Sequence, residues 1–187
     1  MAIVGHSDRA LEQVGDWLRR LHDATATFVP PEGSTWLANQ TWRPGLVVGH
    51  HDAAPYNAVW HDDELVGFVD WDTAGPSSRE LDLAFAALSW VPLLPHPLVD
   101  ARGYRADGDR SRRLHVLLDS YRYDGDRFAF GATVARRAGV QAAAIRRMAT
   151  GGDPTYAALL STADDLELAA REVAALPPTF WRAPGLP

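Results

Sequence analysis

Two short apolar runs, Ala58-Val59-Trp60 and Leu65-Val66-Gly67-Phe68-Val69, stand on either side of the polar tetrad His61-Asp62-Asp63-Glu64. Four turn residues between two such runs predict a β-hairpin. No other feature constrains the chain as tightly, because pairing the runs brings their outer ends together whatever the remaining residues do. Asn57 and Asp70 stand at those ends and are expected to meet at the mouth of the hairpin. An amide oxygen and a carboxylate converging there suit a hard cation such as Mg²⁺, which prefers oxygen ligands. One loop earlier, in Val47-Val48-Gly49-His50-His51-Asp52-Ala53-Ala54-Pro55-Tyr56-Asn57, a further carboxylate, Asp52, is placed to face whatever that cation holds. Each residue also has a simpler role open to it. Asp52 and Asn57 form turns readily around Pro55, and Asp70 suits a loop cap.

Taken together and in this order, His50-x-Asp52-x-x-x-x-Asn57 followed by Val69-Asp70-Trp71 resembles the aminoglycoside phosphotransferase family, relatives of the protein kinases. In that family the catalytic loop has the form H-x-D-x-x-x-x-N, and the metal-binding aspartate opens a D-W or D-F-G-like segment. The resemblance implies that Asp52 is the catalytic aspartate that orients and deprotonates an acceptor hydroxyl. It implies that Asn57 and Asp70 are the magnesium ligands and that His50 braces the loop. Asp82, in Leu81-Asp82-Leu83-Ala84, would be a structural aspartate on the next helix. It would hold the loop's backbone N–H groups, or serve simply as a charge in the first turn of that helix. Leu18-Arg19-Arg20-Leu21-His22 is similar to the L-x-x-L-H helix end that precedes the catalytic loop. The resemblance covers residues 8 to 90 well and the helical remainder loosely.

Phosphoryl transfer explains the residue types. It needs positioning and cancellation of charge more than covalent help from the protein. One carboxylate must stay free of metal to meet the nucleophile, and others must hold the ion that bridges the nucleotide phosphates. The implied activity is ATP- and Mg²⁺-dependent transfer of a phosphoryl group to a small-molecule hydroxyl. Nothing in the residues says whether that alcohol is an aminoglycoside, choline, a sugar or another. The acceptor pocket would be built by helices after residue 100. There Asp119, Asp164, Asp165 and Glu167 either attract an amine-bearing acceptor or, more simply, form solvated helix faces.

The nucleotide side of the resemblance is incomplete. Kinase-like enzymes cover the phosphates with a small N-terminal lobe bearing a glycine-rich loop and a strand lysine. Here about 45 residues precede the catalytic loop, and they have the pattern of a helix and a loop. All 18 basic residues are arginine, so no lysine is present, and Ala54 stands where protein kinases carry one. The expected fold class is therefore α+β and mostly helical. It is that of the C-terminal lobe of a protein-kinase-like fold, with a short hairpin at the catalytic loop and no ATP-grasping lobe. Three explanations compete: Met1 as an internal start, a partner or second copy supplying the roof, or a pseudo-kinase. In the last case an acidic groove with Asp52, Asp70 and Asp72 binds a cationic ligand without turnover. Exposed apolar surface where a small lobe would dock makes self-association an expectation too.

Composition bounds the remaining choices. At 187 residues with 47% hydrophobic residues and seven tryptophans, the expectation is one domain, residues 1–187, with a substantial core. A net charge of −6 argues against nucleic acid, which needs a basic face. The absence of cysteine excludes disulfides and thiolate metal sites. Residues 1–5 lack the features of a signal peptide, and the apolar stretch 83–95 is too short to span a bilayer. A cytoplasmic protein without a membrane partner is expected. The seven histidines do not amount to a zinc hydrolase, since His50-His51-Asp52 lacks the i, i+4 spacing of such sites. Asp124-Gly125-Asp126 lacks the remaining ligands of a calcium loop.

The helices follow from periodicity and caps. Ser7 or Asp8 caps a first helix to about Leu21, with Leu11, Val14, Leu18 and Leu21 inward and Trp17 beside them. Residues 24–45, with Pro30, Pro31, Gly33, Pro44 and Gly45, form a long loop with a helical turn near Trp36. Trp36 and Trp42 either line a pocket or, more simply, anchor that loop. Residues 73–78 are irregular, and a helix runs from Arg79 or Glu80 to Trp90. A surface loop at 100–109 leads to a helix at 112–122 with Leu114, Leu117, Leu118 and Tyr121 inward. A further helix spans 128–148. The last covers 156–176 behind Asp153 as N-cap and Pro154 at its first position.

Overall fold

The computed structural model describes residues 7–37, 40–91, 93–95 and 107–182. The chain divides into two compact units, one formed by Met1–Val91 with Arg113–Asp124, the other by Pro92–Arg112 with Gly125–Pro187. Helices dominate, joined by two small antiparallel sheets of two strands each, so the mixed, mostly helical class expected from the sequence is the observed one.

In the first unit, α1 spans Asp8–Thr25. Ser7 caps it, its Oγ accepting the Ala10 N–H at 3.1 Å, which satisfies one of the orphan donors of a helix start. Leu11, Val14, Leu18 and His22 line its buried face at helical spacing. Gly15 lies on the same face because the chain passes too close for a side chain. A Cβ there would sit 2.8 Å from the Leu117 carbonyl oxygen and from the Ser120 Cβ. Among the described residues of the following loop no helical turn includes Trp36, and Trp36 and Trp42 are each half-buried.

Strand β1, Val47–Gly49, leads into the motif, and β2 (Ala58–His61) pairs with β3 (Glu64–Phe68) as the expected hairpin. Its turn is shorter than the four residues expected. His61 and Glu64 are paired, leaving Asp62 and Asp63 with φ of 48° and 62°. Two successive left-handed residues form the I′-type turn whose twist matches that of the strands. The side chain of Gln13 on α1 fixes the hairpin tip, donating to the Asp63 carbonyl at 2.9 Å and accepting from the Leu65 N–H at 2.7 Å. An Arg9–Glu64 ion pair lies alongside.

Residues 73–78, expected to be irregular, contain a fourth strand. β4, Gly75–Ser77, pairs with β1 in the register Val47↔Ser77 and Gly49↔Gly75. Gly-Pro-Ser has little intrinsic strand preference. Its extended form comes from burial against β1, and a two-stranded sheet leaves Pro76 an edge on which to sit. α2 then covers Arg79–Trp90 behind Ser78, whose Oγ accepts the Leu81 N–H at 3.2 Å. Nearly all of its residues from Asp82 onward are buried, and Trp90 packs against Phe68 and Trp60 with centroids 6.3 Å away in each case.

α3, Asp107–Tyr121, begins five residues before the expected start, so residues 107–109 are helical rather than part of a surface loop. The rest of that loop, 100–106, lies outside the described residues. Leu114, Leu117, Leu118 and Tyr121 are buried as expected. Arg113 is buried with them, and its Nη2 donates to the Trp90 carbonyl at 2.7 Å.

The second unit is held by α4, Arg127–Thr150, packed on α6, Leu160–Ala174. Asp126 caps α4, its carboxylate accepting the Phe128 and Ala129 N–H groups. Arg146 on α4 pairs with Asp164 and Glu167 on α6, which makes both acids a structural pair on this face. The last helix is not continuous from residue 156. A four-residue α5, Pro154–Ala157, precedes it, capped by Asp153 as expected. The Leu159 N–H closes back on the Tyr156 carbonyl at 3.1 Å, and that tightened turn separates the two helices.

Candidate active site

The hairpin brings the candidate residues together. Ala58 faces Phe68 in the ladder, and the Val69 N–H donates to the Asn57 carbonyl at 2.9 Å. Asn57 and Asp70 thus leave the hairpin mouth side by side. Asp52 reaches the same place from the loop after β1, where a short 3₁₀ turn over Pro55–Asn57 points Asn57 back at it. The Asn57 Nδ2 donates to the Asp52 Oδ2 at 2.8 Å and to its backbone carbonyl at 3.0 Å. With the NH₂ end so engaged, the Asn57 amide oxygen faces away from Asp52.

His50 ties the two segments. The Asp52 N–H donates to its Nδ1 at 3.3 Å, and its Nε2 lies 3.1 Å from the Val69 carbonyl, one residue before Asp70. A nitrogen that accepts and one that donates define the neutral Nε2–H tautomer. Burial is the largest influence on this imidazole and holds its pKa below the ordinary value, against the pull of Asp82 and Asp52. Trp71 packs against the ring at a tilt of 49°, with a centroid distance of 4.4 Å. His51 at φ 65° and Asp70 at φ 63° adopt the left-handed backbone that a side chain usually avoids, and such conformations persist where surrounding contacts enforce them.

Asp82 supplies that enforcement at His51. It is 1% exposed on α2 and accepts three hydrogen bonds: His50 N–H to Oδ2 at 3.1 Å, His51 N–H to Oδ1 at 2.7 Å, and His22 Nε2 to Oδ2 at 2.9 Å. Burial, the largest single influence, would raise its pKa. The His22 hydrogen bond, the charges of His51 and His22 and the His51 N–H together outweigh it and hold the carboxyl below the usual carboxylate range. Gly49 makes this possible, since a Cβ there would lie 2.8 Å from the Asp82 Cγ. His22 is held in turn by the Tyr121 hydroxyl, 2.7 Å from Nδ1. A surface cleft lined by Arg19, Arg79, Glu80, Tyr121, Tyr123 and Asp124 opens at that end of the network rather than at Asp52.

Asp52 is half-buried. Burial is the main force pushing its pKa up, and the nearby charge of Asp70 adds to it. Hydrogen bonds from Tyr56 and Asn57 and the charge of His50 work the other way. A carboxylate with a raised pKa is a better proton acceptor, provided that it remains ionised at the working pH. Asp70 is exposed. Tyr56 was not among the expected site residues, yet its hydroxyl donates to the Asp52 Oδ1 at 2.6 Å. Its place one residue before Asn57 was the sole signal.

Among the described residues, no group of three or more histidine, aspartate or glutamate side chains is placed to hold a metal ion by itself. The oxygen donors expected to meet a cation, the Asn57 amide oxygen and the Asp70 carboxylate, belong to segments joined by the Val69–Asn57 backbone hydrogen bond, and Asn57 is bonded to Asp52. A hard oxygen set of this size fits Mg²⁺ in the form it usually takes in such sites, held by one or two protein oxygens with waters and substrate phosphates completing the shell.

Residues 35–115, which contain His50, Asp52, Asn57, Asp70 and Asp82, match the phosphotransferase enzyme family. That is the family to which the H-x-D-x-x-x-x-N and D-W strings point. The chain is 36% identical over 118 residues to a trifolitoxin immunity protein of Rhizobium leguminosarum bv. trifolii. The match takes in 62% of this chain and 45% of that protein, so the chain spans less than half the length of this curated relative. No solved structure matches it. No helix among the described residues is long and apolar enough to cross a membrane.

Proposed function

We propose that the chain is the catalytic-loop part of a phosphotransferase, the C-terminal lobe of a protein-kinase-like fold, moving a phosphoryl group from ATP to a small-molecule hydroxyl. The observation that carries this reading is the convergence of Asp52, Asn57 and Asp70 at one hairpin mouth, braced by His50 and Asp82. Asp52 receives the acceptor's proton as its oxygen attacks the γ-phosphorus. Asn57 and Asp70 would hold Mg²⁺, which would supply charge neutralisation for the transferring phosphoryl group. His50 remains a brace, with both ring nitrogens occupied by the loops it joins. The nucleotide's roof comes from outside the described residues, from further chain, a second copy or a partner. No lysine is present to make the customary phosphate contact.

That missing cation favours a second reading, a pseudo-kinase or ligand-binding module that keeps the loop without turnover. The name of the relative, an immunity protein, fits either reading: modification of a harmful small molecule, or its capture. Calorimetric titration of ATP and ADP, each with and without Mg²⁺, separates them. Phosphotransfer predicts nucleotide binding that requires Mg²⁺ and is lost in Asp70→Ala. Binding of a cationic small molecule with no nucleotide response would establish the module instead. The place of action in this reading is the cytoplasm, and nucleic acid and membranes are not partners.

A further inference from the structure

The segment from Asp52 to Asn57 closes on itself. The Ala54 N–H donates to the Asp52 carbonyl at 2.8 Å, the Asn57 N–H to the Ala54 carbonyl at 3.0 Å, and the Asn57 amide to Asp52. Bonds of this kind give the turn its shape but do not fix where it stands on the rest of the molecule. Two side chains of α2 do. Asp82, in the first turn of that helix, accepts the His51 N–H at 2.7 Å, one residue before Asp52. Trp90, the last residue of the helix, donates its indole N–H to the Ala53 carbonyl at 2.8 Å, one residue after Asp52. Eight residues of helix, about 12 Å, separate the two grips. Asp52 is the residue between them.

Trp90 is itself held. It is buried, and its ring meets Phe68 and Trp60 of the hairpin edge-on. Its carbonyl, one of those that a helix end leaves without an intrahelical partner, accepts the buried Arg113 at 2.7 Å. A buried indole N–H needs an acceptor, and the buried Ala53 carbonyl needs a donor. Neither need selects the residue next to the candidate base. We propose that Trp90 is a positioning residue for Asp52, so that α2 sets the place of this carboxylate from both sides. The same ring refers the base to the hairpin whose mouth carries Asn57 and Asp70. The inference rests on the phosphotransfer reading and adds to it a residue that touches no reactant. Without the indole N–H the turn keeps its internal bonds and loses its downstream anchor. Asp52 then shifts relative to the reacting phosphorus, while the contacts that bind the nucleotide are unchanged.

Water serves as the acceptor in the test. Its oxygen attacks the γ-phosphorus of MgATP, the bond to the bridging oxygen breaks, one water proton passes to Asp52, and ADP and inorganic phosphate leave. Phosphate release against MgATP concentration is measured for the full chain, Trp90→Phe, Asp52→Asn and the two combined. Trp90→Phe is expected to lower kcat about 10-fold with KM unchanged, the mark of a contact that counts in the transition state alone. In the Asp52→Asn background the same change is expected to have little further effect, because the group it positions is gone. Should the smaller ring leave the chain unfolded, benzothienylalanine at position 90 takes its place, since it keeps the shape of tryptophan and lacks the N–H. An unchanged kcat overturns the role, and so does an equal loss in the Asp52→Asn background, because the ring then only fills the core. In both cases the phosphotransfer reading stands. A parent chain that releases no phosphate beyond that of free MgATP fails the phosphotransfer reading itself and takes the role of Trp90 with it.

Discussion

Asp82 accepts three hydrogen bonds in a space closed to water, from the backbone of His50 and His51 and from the His22 ring. None of its partners is a reactant, yet both backbone donors belong to the loop that presents Asp52. A carboxylate in this position converts burial of the helix that bears it into a fixed path for the loop. Removing it takes their acceptor from the His50 and His51 N–H groups and from the His22 Nε2–H. Breaking a buried charged pair in this way typically costs about 3–5 kcal/mol. Asp82→Ala is therefore expected to lower the urea midpoint by that order, or to prevent folding. A loss under about 1 kcal/mol, in the range of exposed ion pairs, would show that the loop keeps its path by other means. Asp52, by contrast, lies at the edge of the fold, and its substitution should touch chemistry more than stability.

Among the elements, the hairpin does most to assemble the site, and its turn is its least comfortable part. Asp62 and Asp63 both adopt positive φ, which aspartate tolerates better than most residues but glycine adopts freely. Asp-Gly is the preferred pair for such a turn. Asp63→Gly relieves a left-handed backbone that costs an L-residue about 1–2 kcal/mol, against an added unfolded-chain entropy of about 0.4–1 kcal/mol. A small net stabilisation is therefore expected, read as a higher urea midpoint at unchanged slope. The hydrogen bond from Gln13 goes to the backbone carbonyl of Asp63 and survives the change. A fall in the midpoint would mean that the aspartate side chain has a role that the backbone geometry does not reveal. The β1–β4 pair carries the other half of the assembly, since its Gly49 end gives Asp82 room to reach the loop.

Acid should weaken the molecule as a whole in two steps. Burial lowers the His50 pKa from its ordinary 6.5, and hydrogen bonds and charge lower that of Asp82 from its ordinary 3.8. For each group the unfolded chain takes up protons at a higher pH than the folded one, so stability rises with pH across the interval. The His50 contribution is complete above about pH 6.5 and is lost as pH falls through the lowered folded value. The Asp82 contribution persists until pH falls below the ordinary carboxylate range. Urea unfolding at pH 8, 6 and 5 should show the midpoint falling as pH drops below about 6.5, with the fall continuing between pH 6 and 5. In His50→Asn, whose amide does not titrate, that fall should be smaller. An equal fall in both proteins would place the proton uptake elsewhere.

How much of this was legible in the chain itself follows from the range of the forces involved. The hairpin, the helices and most of their caps rest on neighbours within a few residues, so alternation, spacing and cap chemistry pointed to them. The convergence of Asn57 and Asp70 followed, since pairing two adjacent runs leaves their ends no other place. The two-residue turn, the strand at Gly75–Ser77 and the break before α6 depend on burial and backbone closure, which no local pattern records. The same holds within the site. Whether Asp82 capped a helix or held the loop was decided by a glycine 33 positions away in sequence, and by His22 and Tyr121 arriving from other helices. The order of residues determined which groups are present and which can meet at a hairpin. Only the packed molecule decided which face water and which are sealed from it, because exclusion of water is a property of everything that surrounds a group at once.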